Sequence, residues 1–253
     1  MVVELINKSL IDALIVVLFL PVVCYGENRF INEIPDFTQT DVKEKNSGNG
    51  QQYCAPVAVA NSIAWMSGTE NKQLRLITRL ASTNYMNTSL KNGTGTSGVL
   101  RGVDKISREL FGGFKTLIYQ GWRKHPKSYS SGKIVPDISK LKSAVTRKSA
   151  AWLNIGWYKY NKQSNEYRRY GGHWVTLVGA LDDQLILHDP APRAGAMFSN
   201  EYVRYSEIEN GILVGKKSGL PVSAKGFIAL GEGFHLKSGA DYAILDGVVY
   251  FEI

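Results

Sequence analysis

The chain opens with a block of eleven consecutive apolar residues, Ala13 to Val23, followed by Cys24, Tyr25 and Gly26. As helix such a block spans about 17 Å, well short of the roughly 30 Å hydrocarbon layer of a bilayer. Its length suits the central region of a signal peptide, with Gly26 small enough for the cleavage site. Residues 1–26 therefore read as an export signal, and the chain as periplasmic or extracellular, without stable membrane insertion once cleaved. Glu4 and Asp12 against Lys8 depart from the positive start that such signals carry.

Residues 27–53 alternate weakly. Ile31, Ile34 and Phe37 are separated by polar residues, and Ser47-Gly48-Asn49-Gly50 has turn composition. Residues 27–47 read as an extended lead-in or a short pro-segment. The pattern changes at Cys54. Val57, Val59, Ala60, Ile63, Ala64 and Met66 precede Ser67-Gly68, and Pro56 fits a first helical turn, where its missing N–H is harmless. The spacing predicts a helix over about 55–67 that opens at Cys54, and its near-continuous apolarity predicts burial on all sides. Leu74 to Tyr85 predicts a second helix and Asn87 to Ser97 a loop. Gly98 to Phe111 predicts a third helix, stopped by Gly112-Gly113. Phe114 to Tyr119 reads as a short strand and Pro136 to Val145 as a short helix.

The second half is β-rich. Ala150 to Trp157 is an apolar strand, and Tyr158 to Tyr170 a polar, aromatic-studded hairpin or loop. Trp174 to Leu181 is a strand, Asp182-Asp183 a turn, and Gln184 to His188 the antiparallel partner. Later strands are expected at Gly226 to Leu230 and Ala243 to Ile253, with 193–253 either completing the β region or extending it. Helices first and a mostly antiparallel sheet afterwards predict an α+β fold.

Composition narrows the function classes. The chain is 44% hydrophobic and 21% charged, a globular balance. Its +8 charge permits an acidic partner without requiring one. Specific nucleic-acid binding is not expected, because no recognisable module accompanies the charge. No phosphate-loop or dinucleotide motif is present, so no cofactor is expected. Trp157, Tyr158, Tyr160, Tyr167, Arg168, Arg169 and Tyr170 mix rings with cations. That segment reads as a solvated hairpin, with a substrate groove favouring acidic or polysaccharide-like surfaces as the alternative. Cleavage after Gly26 would remove Cys24 and leave Cys54 as the only thiol.

Cys54 is the first candidate for chemistry. It follows a Gly/Gln-rich loop and heads a helix, whose N–H groups and dipole favour a thiolate. Alone it could equally be a small buried hydrophobe. His173, in Gly171-Gly172-His173-Trp174, stands at the entry of the clearest strand. Asp189 ends the partner strand before Pro190 and lies close to opposite His173 across the turn. There a carboxylate can hold an imidazole in one tautomer. His188 points to the other face from Asp189. A metal site drawn from Cys54, His173, His188 and Asp189 lacks the paired spacing of structural zinc sites. Trp174 reads as core, Asn61 as a buried hydrogen-bonding residue, and His125 and His235 as surface residues.

Three segments carry a family resemblance: Gln51-Gln52-Tyr53-Cys54-Ala55-Pro56, Gly172-His173-Trp174-Val175-Thr176-Leu177-Val178-Gly179, and Leu187-His188-Asp189-Pro190-Ala191. In their order and spacing the chain resembles the bacterial C39-like group of papain-like cysteine peptidases, over residues 48–192. The resemblance implies a papain-like α+β fold, with a central helix carrying Cys54 packed against an antiparallel sheet carrying His173 and Asp189. It implies hydrolysis of peptide bonds in a peptide or protein substrate through a thioester on Cys54. Papain-like enzymes place a Gln six residues before the nucleophile, where this chain has Gly48. Gln51 is the favoured replacement as oxyanion donor, with Gln52 next and Asn49 further upstream. A non-catalytic exported binding domain, or a deamidase or acyltransferase using the same triad, are the alternatives.

Overall fold

The computed structural model describes residues 29–42, 49–195, 200–215 and 221–253. The expected signal segment, 1–26, and Gly48 lie outside these residues.

Helices dominate the first half. α1 (Cys54–Ser67), α2 (Gln73–Ala81) and α3 (Thr96–Phe111) are followed after a strand by the short α4 (Ile138–Lys142). α1 ends where Gly68 turns left-handed, at φ 64°, and returns its N–H to the last carbonyls. α1 is apolar almost throughout because it is buried almost throughout: every residue from Ala55 to Trp65 is shielded.

Among the described residues, the strands in chain order are β1 (Arg29–Phe30), β2 (Thr116–Gly121), β3 (Ser149–Asn161), β4 (Glu166–Ala180), β5 (Gln184–His188), β6 (Glu201–Glu207), β7 (Ile212–Val214), β8 (Val222–Ser223), β9 (Ile228–Leu230) and β10 (Tyr242–Glu252). Their pairing corrects the expected papain-like layout of a helix packed on a sheet. β3 pairs with β4, β4 with β5, β5 with β6, β6 with β9, β9 with β10, and β10 again with β3. All six pairings are antiparallel, so these strands close a barrel. β2 attaches to β10, β1 and β7 to β4, and β8 to β7. Closure removes the free edges that an open sheet would have to protect. Local patterning could not reveal it, because the closing contacts join segments far apart in the chain. Of the two readings of Tyr158–Tyr170, hairpin or loop, the structure shows the hairpin, formed by the continuation of β3 and β4.

Alternation along the strands divides the core. Ala151, Leu153, Ile155 and Trp157 of β3, with Val175 and Leu177 of β4, join one cluster with residues of β5, β6, β9 and β10. Trp152 and Trp174 take the other face and pack with α1, α2 and α3 in a second cluster. β3 is apolar from Ala150 to Trp157, apart from Gly156 and the buried Asn154, because both its faces are covered there. Among the described residues, no helix is long and apolar enough to cross a membrane.

Buried polar contacts fix α1 on the barrel. Thr176 Oγ1 donates to the Ala58 carbonyl at 2.8 Å. Asn61, fully buried, accepts from Gln73 Nε2 at 2.6 Å and donates to Thr176 Oγ1 at 3.4 Å. The hydrogen-bonding role expected of Asn61 is thus visible, and these partners lie in α2 and β4.

Candidate active site

At the start of α1 the N–H of Cys54 has no partner within the helix, since the first-turn donors of any helix precede its carbonyls. Tyr53 supplies no side-chain cap, and Pro56 has no N–H to leave unsatisfied. Cys54 is a partly exposed free thiol at this end.

His173 enters from β4 on the face that carries Val175 and Leu177, and is 5% exposed. A bulge decides what meets it. Near the turn Ala180 pairs with Leu185 and Gly179 with Ile186, but beyond Val178 the register shifts, so that Leu177 pairs with Leu187 and Thr176 with His188. Continued without the shift, the pairing would bring His188 onto the His173 face. With it, Asp189 shares that face and lies diagonal to His173 rather than directly across from it. His188 turns away, between the Pro35 carbonyl at 3.2 Å and Asn200 Oδ1 at 2.7 Å.

His173 Nε2 is 2.5 Å from Asp189 Oδ1. Nδ1 is then the ring nitrogen left for the hydrogen bond between the His173 and Cys54 side chains. Burial of the ring opposes protonation, but the charge and hydrogen bond of Asp189, joined by those of Cys54, outweigh it and raise the His173 pKa to about 9. Burial likewise pushes the Asp189 carboxyl up, yet the charge and hydrogen bond of His173, Arg193 and the Ala191 N–H bring it below the ordinary value. Arg193 Nη2 is 3.6 Å from Asp189 Oδ2.

Two further groups support this pair: Trp157, read from the sequence as part of the ring-and-cation segment, and Glu201, which the sequence did not single out. The Trp157 ring stacks on His173, with centroids 5.8 Å apart and planes at 25°, and Arg193 lies over the same ring. Glu201 accepts the Asp189 N–H at 3.0 Å. Burial, with the charges of Asp189 and Asp36 adding to it against that hydrogen bond, raises the Glu201 pKa to about 8. No local signal marked Glu201, which comes from a strand that the pattern did not predict.

A cleft of about 250 Å³ opens over the thiol. Gln52, Cys54, the loop from Asn92 to Thr96, and Gly172, His173 and Trp174 line it, together with Arg123, Lys124, Asn154 and Arg169. Trp174 is core, as expected, and its Nε1 donates to the Thr94 carbonyl at 3.1 Å, which ties the loop to β4. Gln51, the favoured oxyanion donor, is exposed and outside the lining, whereas Gln52, the next choice, is part of it. Asn49 also lies outside the lining, at φ 57°. His125 is not a free surface group: its Nδ1 is 2.6 Å from the Arg123 carbonyl and its ring packs on Tyr119. His235 is exposed. Among the described residues, no cluster of His, Cys, Asp and Glu could hold a metal ion.

No family model matches the chain, and no curated protein matches it.

Proposed function

We propose that the chain is a cysteine-dependent hydrolase of amide bonds in a peptide or protein substrate, with Cys54 as nucleophile, His173 as general acid and base, and Asp189 as the group that orients and charges the imidazole. The observation that carries this reading is the Asp189 carboxylate held 2.5 Å from the His173 imidazole, with that ring and the Cys54 thiol lining one cleft. A ring protonated up to about pH 9 is the counter-ion that a thiolate requires.

The steps follow from that arrangement. Cys54 sulfur attacks the carbonyl carbon and forms a tetrahedral oxyanion. The Cys54 N–H, which has no partner within the helix, and the Gln52 amide are the donors at hand for the oxyanion. His173 gives its proton to the departing amine, which leaves a thioester on Cys54. The neutral imidazole then takes a proton from water, whose oxygen attacks the thioester. The acid product departs, and the proton on His173 restores the ion pair.

Incubating a peptide library with wild type and with Cys54→Ala, and reading the products by mass spectrometry, tests the proposal. Cleavage by wild type alone is expected. Equal product patterns from both proteins would remove the catalytic assignment and leave a binding domain.

A further inference from the structure

We propose that this cleft selects substrates carrying a carboxylate beside the bond that Cys54 attacks, with Arg123, Lys124 and Arg169 as the residues that recognise it. The inference rests on the catalytic reading above and adds a substrate class to it.

The charge of the lining is one-sided: three cationic side chains and no carboxylate. Arg169 is built in rather than draped over the surface. Its side chain is 12% exposed, and its Nε donates to Asp246 at 2.6 Å. Asp246 is fully buried, lies outside the lining, and also accepts from Trp122 Nε1 and the Tyr158 hydroxyl. Gly172 makes the placement possible, because a Cβ there would collide with the Arg169 guanidinium. The guanidinium therefore crosses the backbone next to His173, and with Nε engaged its two Nη groups remain as a forked donor of the kind that suits a carboxylate. Asp246 offsets the Arg169 charge, so the net positive field comes from the other two cations. Arg123 is held against the Trp122 ring at 4.7 Å from its centroid. Lys124 is exposed at the rim, where a long cation draws anions in.

Iodoacetate and iodoacetamide provide the test. They alkylate the same sulfur and differ only in a carboxylate against an amide, one bond from the carbon attacked. Their rate ratio at pH 6 is measured for wild type and for the double variant Arg123→Gln/Lys124→Gln. His173 favours iodoacetate in both proteins, so its contribution cancels in the comparison. Removing Arg169 would strand the buried Asp246 charge, which is why the surface pair is substituted. The iodoacetate preference is expected to fall roughly fivefold or more in the double variant. An unchanged ratio would overturn the anion selection and leave the thiol chemistry standing. If neither reagent modifies Cys54 faster than it modifies glutathione, the catalytic reading fails, and this inference with it.

Discussion

Thr176 holds the Ala58 carbonyl at 2.8 Å, and through that bond the strand bearing His173 is fixed to the helix bearing Cys54. Ala58 lies one turn beyond Cys54 on the same helical face, and Thr176 lies three residues beyond His173 in β4. The bond therefore ties the start of α1 to the part of β4 that carries His173. Thr176→Val keeps the shape but leaves Asn61 Nδ2 without this acceptor. A loss of about 1–3 kcal/mol in unfolding free energy is expected in urea titration. The rate of cysteine-dependent cleavage should drop with it, because small displacements of reacting groups are costly.

Gln52 and Gln51 make a matched pair of controls. If Gln52 supplies the second oxyanion donor, Gln52→Ala lowers kcat by roughly 10²–10³ with little change in stability. Gln51→Ala, on the exposed neighbour, should stay within about twofold of wild type. Steady-state cleavage of one reporter peptide by both variants checks this. Equal losses would place the donor elsewhere.

The His173 ion pair sets an alkaline limit. Since its pKa is raised to about 9, the protonated acid needed by the leaving amine is present below that pH and lost above it. The pH profile of kcat/KM should therefore fall through about pH 9. Asp189→Asn removes the charge that holds the imidazolium, so this limb should move toward the ordinary histidine range, near about 6.5. Activity at neutral pH should drop by roughly 10²–10⁴. A limb that stays near 9 in Asp189→Asn would show that another group sets it.

Glu201 should make stability fall as pH rises. Its folded pKa of about 8 exceeds the ordinary carboxylate value, so the folded chain keeps a proton that the unfolded chain releases between about pH 4.5 and 8. Stability therefore decreases across that window and levels off above it. Glu201→Gln stays neutral and can still accept the Asp189 N–H. It should raise the unfolding free energy at pH 8.5 by about 1–3 kcal/mol and change little at pH 4.5. Thermal melts at the two pH values decide the matter, and a gain of equal size at both would refute the buried-carboxyl account.

Helices were legible wherever a segment announced both its period and its ends. The run after Cys54, stopped by Gly68, became α1 within a residue or two of its predicted bounds, and Gly112 stopped α3 in the same way. Trp174 and Asn61 also took the buried roles that their surroundings predicted. Gln51 and Gln52 were harder to separate, because the choice depends on backbone angles in a loop that no periodicity describes.

What the residues determined by themselves was local: where helices start and stop, that the helix after Cys54 is buried, and that a thiol, an imidazole and a carboxylate occur in a suggestive order. Tertiary structure decided the rest. Ring closure through β6, β9 and β10 turned the expected sheet into a barrel. A single bulge at Val178 put Asp189 on the His173 face in place of His188. Trp157 and Glu201 came to support that pair from strands on either side. Propensity and period act over a turn or two of chain, whereas register and closure depend on the packing of segments that meet only after folding.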